Sequence, residues 1–248
     1  SLIVTNAHAI VRGEMPQLKR HDNDFFFLKR ESAAQIRSTV IDLVSTRLPK
    51  SYGYSPMTDI QVIVPTRVGA VGTNALNQSL QQVLNPPDKD KPEFELNGRK
   101  FRVGDKVMQI KNNYDILFKR DNGEEGMGVY NGDIGFIEQI DRPSKTLVVR
   151  YDDRLAEYLF EMAPELELAY AITVHKSQGS EFEAVVMPLA SYKSKMHYRN
   201  LLYTAVTRAK SQLILLGQEY TIAEMIANNR KTVRYSNLKE MLLGEVEE

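Results

Sequence analysis

The run DIQVIVP, Asp59 to Pro65, is a short β-branched stretch of the kind that lies buried in a parallel sheet. A Gly-containing loop, TRVGAVG, follows it, and then a helical pattern from Thr73 to Leu84. Strand, loop and helix in that order mark an α/β fold. Further strands are expected at DFFFLKR, in the two apolar pieces of AITVHKSQGSEFEAVVMPL (Ala171 to Leu189), and at QLILLG. Helices are expected to flank them. Leu2, Ile3, Asn6, Ala7 and Ile10 share one helical face that stops at Gly13, and a chain that begins inside a helix reads as cut from a longer protein. ESAAQIRSTVIDLVSTRL predicts one long amphipathic helix with Ile36, Val40, Ile41, Val44 and Leu48 as its buried stripe. Another helix is expected over Arg199 to Lys210, and a last one from near Thr221.

The pattern changes after NPPDKDKP. From Phe94 to Leu166 short alternating strands are separated by turn signals such as Asn131-Gly132 and Asp152-Asp153, which reads as a small all-β unit. Within it FKRDNGEEGMG, Phe118 to Gly128, has almost nothing to bury and is expected to be a mobile tip. The expected organisation is an α/β domain over residues 1–92 plus 166–248 with a β domain, 93–165, inserted into it.

With 248 residues, 42% of them hydrophobic, the chain can bury a real core. Its 32 basic and 32 acidic residues cancel, so any contact with a polyanion must be local. The absence of cysteine removes disulfides, thiolate metal sites and cysteine nucleophiles, and fits a reducing compartment. No apolar run approaches the ~18 residues of a membrane span, and the first residues lack a basic-then-apolar signal pattern, so a cytoplasmic location is expected.

In a parallel sheet, polar residues at the C-terminal end of a strand face the crevice where ligands bind. Val174 would end one such strand and His175 to Glu181 would form the loop beyond it. Thr173, His175, Lys176, Ser177, Gln178 and Glu181 bring a hydroxyl, an imidazole, an ammonium, a second hydroxyl, an amide and a carboxylate, with Gly179 permitting close backbone approach. Donors of this kind suit a phosphate backbone or a nucleotide, and the rival reading is a solvated loop with a satisfied histidine. In RNLLYTAVTRAK, Arg208 lies off the apolar stripe: either a charge favoured near a helix C-terminus or an arginine aimed at a phosphate. Arg67, in a Gly-rich loop that opens a helix, is a third candidate for an anion contact.

Several signatures are missing. No G-x-x-x-x-G-K-[ST] loop is present, no apolar run ends in Asp-Glu, and no serine sits in a G-x-S-x-G turn. His8, His21, His175 and His197 are not spaced like zinc ligands.

IVTNAHAIVRGEMP, VPTRVGAVGTNALNQSLQ, GDKVMQIKNNYD, YNGDIGFI, LAYAITVHKSQGSEFEAVVMPL and NLLYTAVTRAK, in this order and spacing, resemble the C-terminal half of superfamily 1 DNA helicases of the RecD/TraA type. The resemblance runs over nearly the whole chain. It implies a RecA-like parallel-sheet domain of the P-loop NTPase type without its own P-loop, carrying an inserted SH3-like barrel. It also implies an ATP-driven motor moving 5′ to 3′ on single-stranded DNA, with ATP and Mg2+ between two RecA-like domains and held mainly by the N-terminal one. Carried over by motif, Arg67 and Arg208 would be arginine fingers on the γ-phosphate. Thr173, His175 and Ser177 would bond DNA phosphates, while Gly179 and Glu181 would relate that contact to the nucleotide. The segment FKRDNGEEGMG departs from the family pattern, in which the Asn-Tyr-Asp stretch runs almost directly into Asn-Gly-Asp. The implied partners are single-stranded DNA and the N-terminal half of the same polypeptide, with no membrane. A reading from another class, a stand-alone nucleic-acid or partner-binding module without hydrolysis, shares the same missing P-loop.

Overall fold

The computed structural model describes residues 1–20, 24–191 and 194–230, so His21 lies outside the described residues. Five parallel strands make the first sheet, in the order β1 (Phe25–Lys29), β14 (Ala209–Gly217), β13 (Phe182–Pro188), β2 (Ile60–Val64), β12 (Ala171–Thr173). The order is not that of the chain, so each connection must cross over a face of the sheet, and helices do the crossing. On one face lie α1 (Leu2–Arg12), α5 (Arg199–Val206) and α6 (Glu219–Ala227), packed through Ile10, Leu202, Ala205 and Ile222 onto Phe25, Val185, Leu213 and Leu215. The opposite face carries α2 (Ala33–Asp42) and α4 (Thr73–Leu84), whose Ile36, Val40, Leu76 and Leu80 meet Val62, Val64, Ala184 and Ile214. Every residue of β2 is buried, as expected of a central strand, and its one polar side chain, Gln61, donates to the Ala169 and Tyr170 carbonyls.

The expected long helix is present but not uniform. After α2 a π turn, Leu43–Arg47, inserts before α3 (Leu48–Tyr52), and Gly53 ends the run at φ 73°. Only Gly, with no Cβ, takes that left-handed conformation without cost.

Between α4 and β12 the chain builds β3 (Glu93–Leu96), β4 (Arg99–Arg102), β5 (Lys106–Gln109), β6 (Asn113–Arg120), β7 (Glu125–Val129), β8 (Ile134–Asp141), β9 (Thr146–Tyr151), β10 (Arg154–Leu159) and β11 (Leu166–Leu168). Strands β5 to β11 form a seven-stranded antiparallel sheet around Val107, Ile116, Ile137, Val149 and Tyr158, and β3 pairs with β4 as a separate hairpin. The segment Phe118 to Gly128, expected to be a mobile tip, is a paired hairpin of β6 and β7. Its register comes from partners distant in sequence: β6 pairs with β10, Arg120 bonds Asp153, and Arg154 lies over the Phe118 ring.

Asp105 joins the two sheets. Its fully buried carboxylate accepts from Gln81 Nε2, Asn85 Nδ2 and the Arg102 amide at 2.7 Å each and from the Tyr170 hydroxyl at 2.8 Å. Burial pushes its pKa up while these donors oppose the shift. Next to it Lys106 is buried against the Ile60 carbonyl, and burial draws its pKa down to about 8 despite the nearby Asp59 carboxylate. The junction is thus sealed by a hydrogen-bonded network centred on Asp105.

Candidate nucleic-acid and nucleotide interface

Thr173 closes β12 and pairs with Val64 at the end of β2, so Thr173, the His175–Ser177 turn and Arg67 all sit at the C-terminal edge of the parallel sheet. The loop then runs back over the sheet, and β13 starts at Phe182, whose amide donates to the Arg208 carbonyl. Arg208 therefore lies at the opposite edge. Pro188 pairs with Leu216 and Phe182 with Ala209, and the six residue steps between them separate the two edges by roughly 20 Å at a strand rise of ~3.3 Å.

The expectation put Arg67 and Arg208 together on one γ-phosphate, whereas in this structure their backbones stand at opposite edges of the sheet. Arg67 stays at the C-terminal edge, its carbonyl accepting from Asn74 at the start of α4 and its guanidinium paired with Glu167.

Arg208 is half-buried and held by neutral acceptors. Its Nε donates to the Thr204 carbonyl at 3.1 Å, one terminal nitrogen to the Ser180 carbonyl at 2.9 Å, and the other to the Thr207 hydroxyl at 3.3 Å. Three of the five N–H groups of a guanidinium are used in this way, which leaves two in a fixed fork. Among the described residues no carboxylate pairs with it. A restrained cation without a counter-ion, with part of its fork open, is prepared for an external anion. The helix expected to run to Lys210 ends at Val206, because the chain must leave it to pair Ala209 with Phe182. That early exit puts Arg208 in the connection between α5 and β14 instead of inside a helix.

The loop between the edges is organised residue by residue. Thr173 Oγ1 accepts from the Lys176 amide at 3.4 Å, and His175 Nε2 lies 3.3 Å from the Tyr198 hydroxyl. The imidazole is otherwise exposed. Ser177, expected among the phosphate contacts, is wholly buried and donates to the Val174 carbonyl at 2.7 Å, so here it closes the turn rather than offering a donor to solvent. Gly179 has φ 84°, and a Cβ there would meet no atom within 4 Å, so the outer side of the loop is open to a ligand. Glu181 is exposed beside Ser180, whose carbonyl holds Arg208.

Two links tie the loop to α5. Tyr198, the residue before the helix, touches His175 at one edge, and Arg208, just past its end, bonds Ser180 at the other. The loop and α5 are thus two struts joining the same two edges, fixed to each other at both ends. The motifs assign Tyr198 no role; its only signal is its position one residue ahead of the expected helix.

No group of three or more His, Cys, Asp or Glu able to hold a metal gathers among the described residues, and none of their helices is long and apolar enough to cross a membrane.

A RecA-like parallel sheet carrying an SH3-like insertion is the architecture of a helicase-type C-terminal domain. Residues 76–151 match the ATP-dependent RecD-like DNA helicase SH3 domain, and residues 168–216 match the UvrD-like helicase C-terminal domain. The ATP-dependent RecD2 DNA helicase of Deinococcus radiodurans is 34% identical over 158 residues, covering 64% of this chain and 20% of that protein. An uncharacterized protein of Methanocaldococcus jannaschii is 35% identical over 176 residues, covering 64% of this chain and 15% of its own length. The RecBCD enzyme subunit RecD of Buchnera aphidicola is 23% identical over 170 residues, 68% of this chain and 26% of that subunit. The chain therefore spans about a quarter or less of these curated relatives. The solved Pif1 helicase of Candida albicans shares the fold, with a TM-score of 0.50 at 14% identity over 96% of this chain and 58% of that one. By the two family matches and these relatives, the chain is similar to the C-terminal region of RecD-like superfamily 1 helicases.

Proposed function

We propose that this chain is the second motor domain of an ATP-dependent DNA helicase that moves 5′ to 3′ along single-stranded DNA. The observation that carries the reading is the pairing of a restrained, counter-ion-free Arg208 at one sheet edge with Thr173 and His175 at the other, joined by one loop. Arg208 is the finger: its open N–H groups suit a γ-phosphate held mainly by an N-terminal RecA-like half of the same polypeptide. Glu181 and the Gly179 backbone lie toward that nucleotide edge. Thr173 and His175 take DNA phosphates, with Ser177 shaping the turn that presents them. Arg67 belongs to the DNA edge. Relative to a reading with two fingers, the nucleotide keeps one arginine from this domain and the track gains one.

ATP with Mg2+ supplies the phosphoryl group and the metal that neutralises its charge. Arg208 fits the phosphate, whereas the described residues offer no cage for the metal. Residues 1–92 plus 166–248 act as the motor domain and 93–165 as the inserted barrel. The direct test compares ATP turnover of these 248 residues alone with that of the complete protein. The chain alone is expected to show background turnover and the complete protein DNA-stimulated turnover. Turnover by the chain alone that disappears with Arg208→Ala refutes the division of labour. A complete protein that binds DNA without hydrolysing ATP favours the binding-module reading.

A further inference from the structure

At the DNA edge a cleft of about 690 Å³ opens between α4, the β3–β4 hairpin and the end of β12. Arg67, Arg99, Lys100, Arg102 and Lys176 line it; Arg102 is buried and paired with Glu93, and the acidic group among the lining residues is the half-buried Glu167. In a chain with 32 basic and 32 acidic residues, four cations besides the paired Arg102 around one carboxylate is a local excess with a consequence for anions. Neither Lys100 nor Lys176 pairs with a carboxylate among the described residues, and Lys176 reaches only Asn131 Oδ1, at 3.5 Å.

The hairpin that presents Arg99 and Lys100 is anchored to its surroundings. Its two-residue turn, Asn97-Gly98, has φ 50° and 75°, as a tight hairpin with matched twist requires. Phe94 stacks on Phe101 at 5.3 Å and on Phe160 at 4.7 Å, and Gln81 of α4 donates to the Lys100 carbonyl at 2.9 Å. The cations are therefore held against the parallel-sheet domain rather than carried on a free arm. Glu167 occupies the middle of the group: its carboxylate pairs with Arg67 and lies 3.8 Å from Arg99.

We propose that this cleft is a second phosphate-binding stretch of the single-stranded DNA path, in which Arg99 and Lys100 of the hairpin continue the track begun at Thr173. Glu167 is its internal phosphate substitute, pairing with Arg67 and Arg99 until the DNA backbone displaces it. The proposal rests on the helicase reading above and adds to it residues that no motif assigns. Free inorganic phosphate shares the chemistry, and the experiment separates the two sources.

The test is fluorescence anisotropy of a labelled oligothymidylate with the 248-residue chain across a range of salt. Arg99→Ala with Lys100→Ala is expected to flatten the log–log salt slope by up to ~1.4, two contacts at ~0.7 each on a single strand. Glu167→Gln is expected to tighten binding roughly two- to five-fold, the factor a partly exposed ion pair commands. The double variant Arg99→Lys with Lys100→Arg keeps both charges and should keep the slope, which separates lost charge from a damaged hairpin. An unchanged slope in the alanine double, or Glu167→Gln without effect, overturns the proposal. If Thr173→Ala weakens binding while the hairpin variants do not, the loop reading survives and this one fails. An unmodified chain that fails to bind the oligonucleotide sinks both. Inorganic phosphate that competes at the oligonucleotide's own concentration, at constant ionic strength, makes the cleft a free-anion site and overturns the DNA assignment.

Discussion

Replacing Arg208 by alanine separates a catalytic finger from a structural arginine. The guanidinium makes three hydrogen bonds to neutral acceptors, at 2.9, 3.1 and 3.3 Å, on a half-buried side chain. At ~0.5–1.5 kcal/mol for each well-formed bond, with the longest contributing least, its loss should destabilise the fold by about 1–2 kcal/mol. In a chain of 248 residues that lowers Tm by about 2–8 °C, at ~2–4 °C per kcal/mol. The finger reading adds a much larger effect on rate. Removing the positive fork from the transferring phosphoryl group should reduce ATP turnover of the complete protein by roughly 10³-fold or more. Arg208→Lys keeps the charge but loses the planar fork, so it should recover part of the stability and little of the turnover. The assay is steady-state ATP hydrolysis at saturating single-stranded DNA, run beside thermal melting. A variant that melts lower yet hydrolyses ATP at the unmodified rate refutes the assignment and leaves Arg208 as a brace for the Ser180 loop.

Arg67→Ala should do the reverse: weaker DNA binding in the complete protein, a salt slope flatter by ~0.7, and turnover at saturating DNA within a few-fold of normal, checked by anisotropy and hydrolysis together. A turnover loss equal to that of Arg208→Ala would restore Arg67 to the nucleotide. Lys106→Met tests the buried lysine at the junction. Its pKa is about 8 in the folded chain against about 10.4 unfolded, so the unfolded state binds more protons between those values and stability rises with pH across that window. Below pH 8 the full cost of burying the charge, about 3 kcal/mol, is present. The methionine variant should therefore gain about 1–3 kcal/mol at pH 7 and lose that advantage by about pH 10.5, as read from denaturant melts at both values. An advantage that does not shrink with pH would show that packing, not charge, decides the site.

Much of the α/β part was legible because its signals are local. The helix from Thr73 to Leu84 has its expected bounds, since Gly72 precedes it and Leu76 and Leu80 mark one face. The Asp152-Asp153 turn also lies where expected, with Asp152 at φ 49° between β9 and β10. What escaped was set by partners far away in the chain. Tertiary pairing overrode helical periodicity at Thr207 to Lys210, where β14 begins two residues after the helix cap. Phe118 to Gly128 reads as empty of core because its anchors, Arg154 and Asp153, belong to another hairpin. The separation of Arg67 from Arg208 depends on register through three strands, which no motif spacing records. Ser177 illustrates the same limit within the loop: a hydroxyl amid polar neighbours reads as exposed, and only the turn geometry puts it inside.

The central claim is that the loop from Thr173 to Glu181 transmits DNA contact at one sheet edge to the nucleotide at the other. Its most direct test is ATP turnover of the complete protein carrying Thr173→Ala with His175→Ala, measured without DNA and at DNA concentrations high enough to saturate the weakened site. The account predicts an unchanged basal rate and the loss of most DNA stimulation. Normal stimulation at saturating DNA, in a variant whose binding is weakened, would contradict it: the loop would hold the track without signalling to the fuel site.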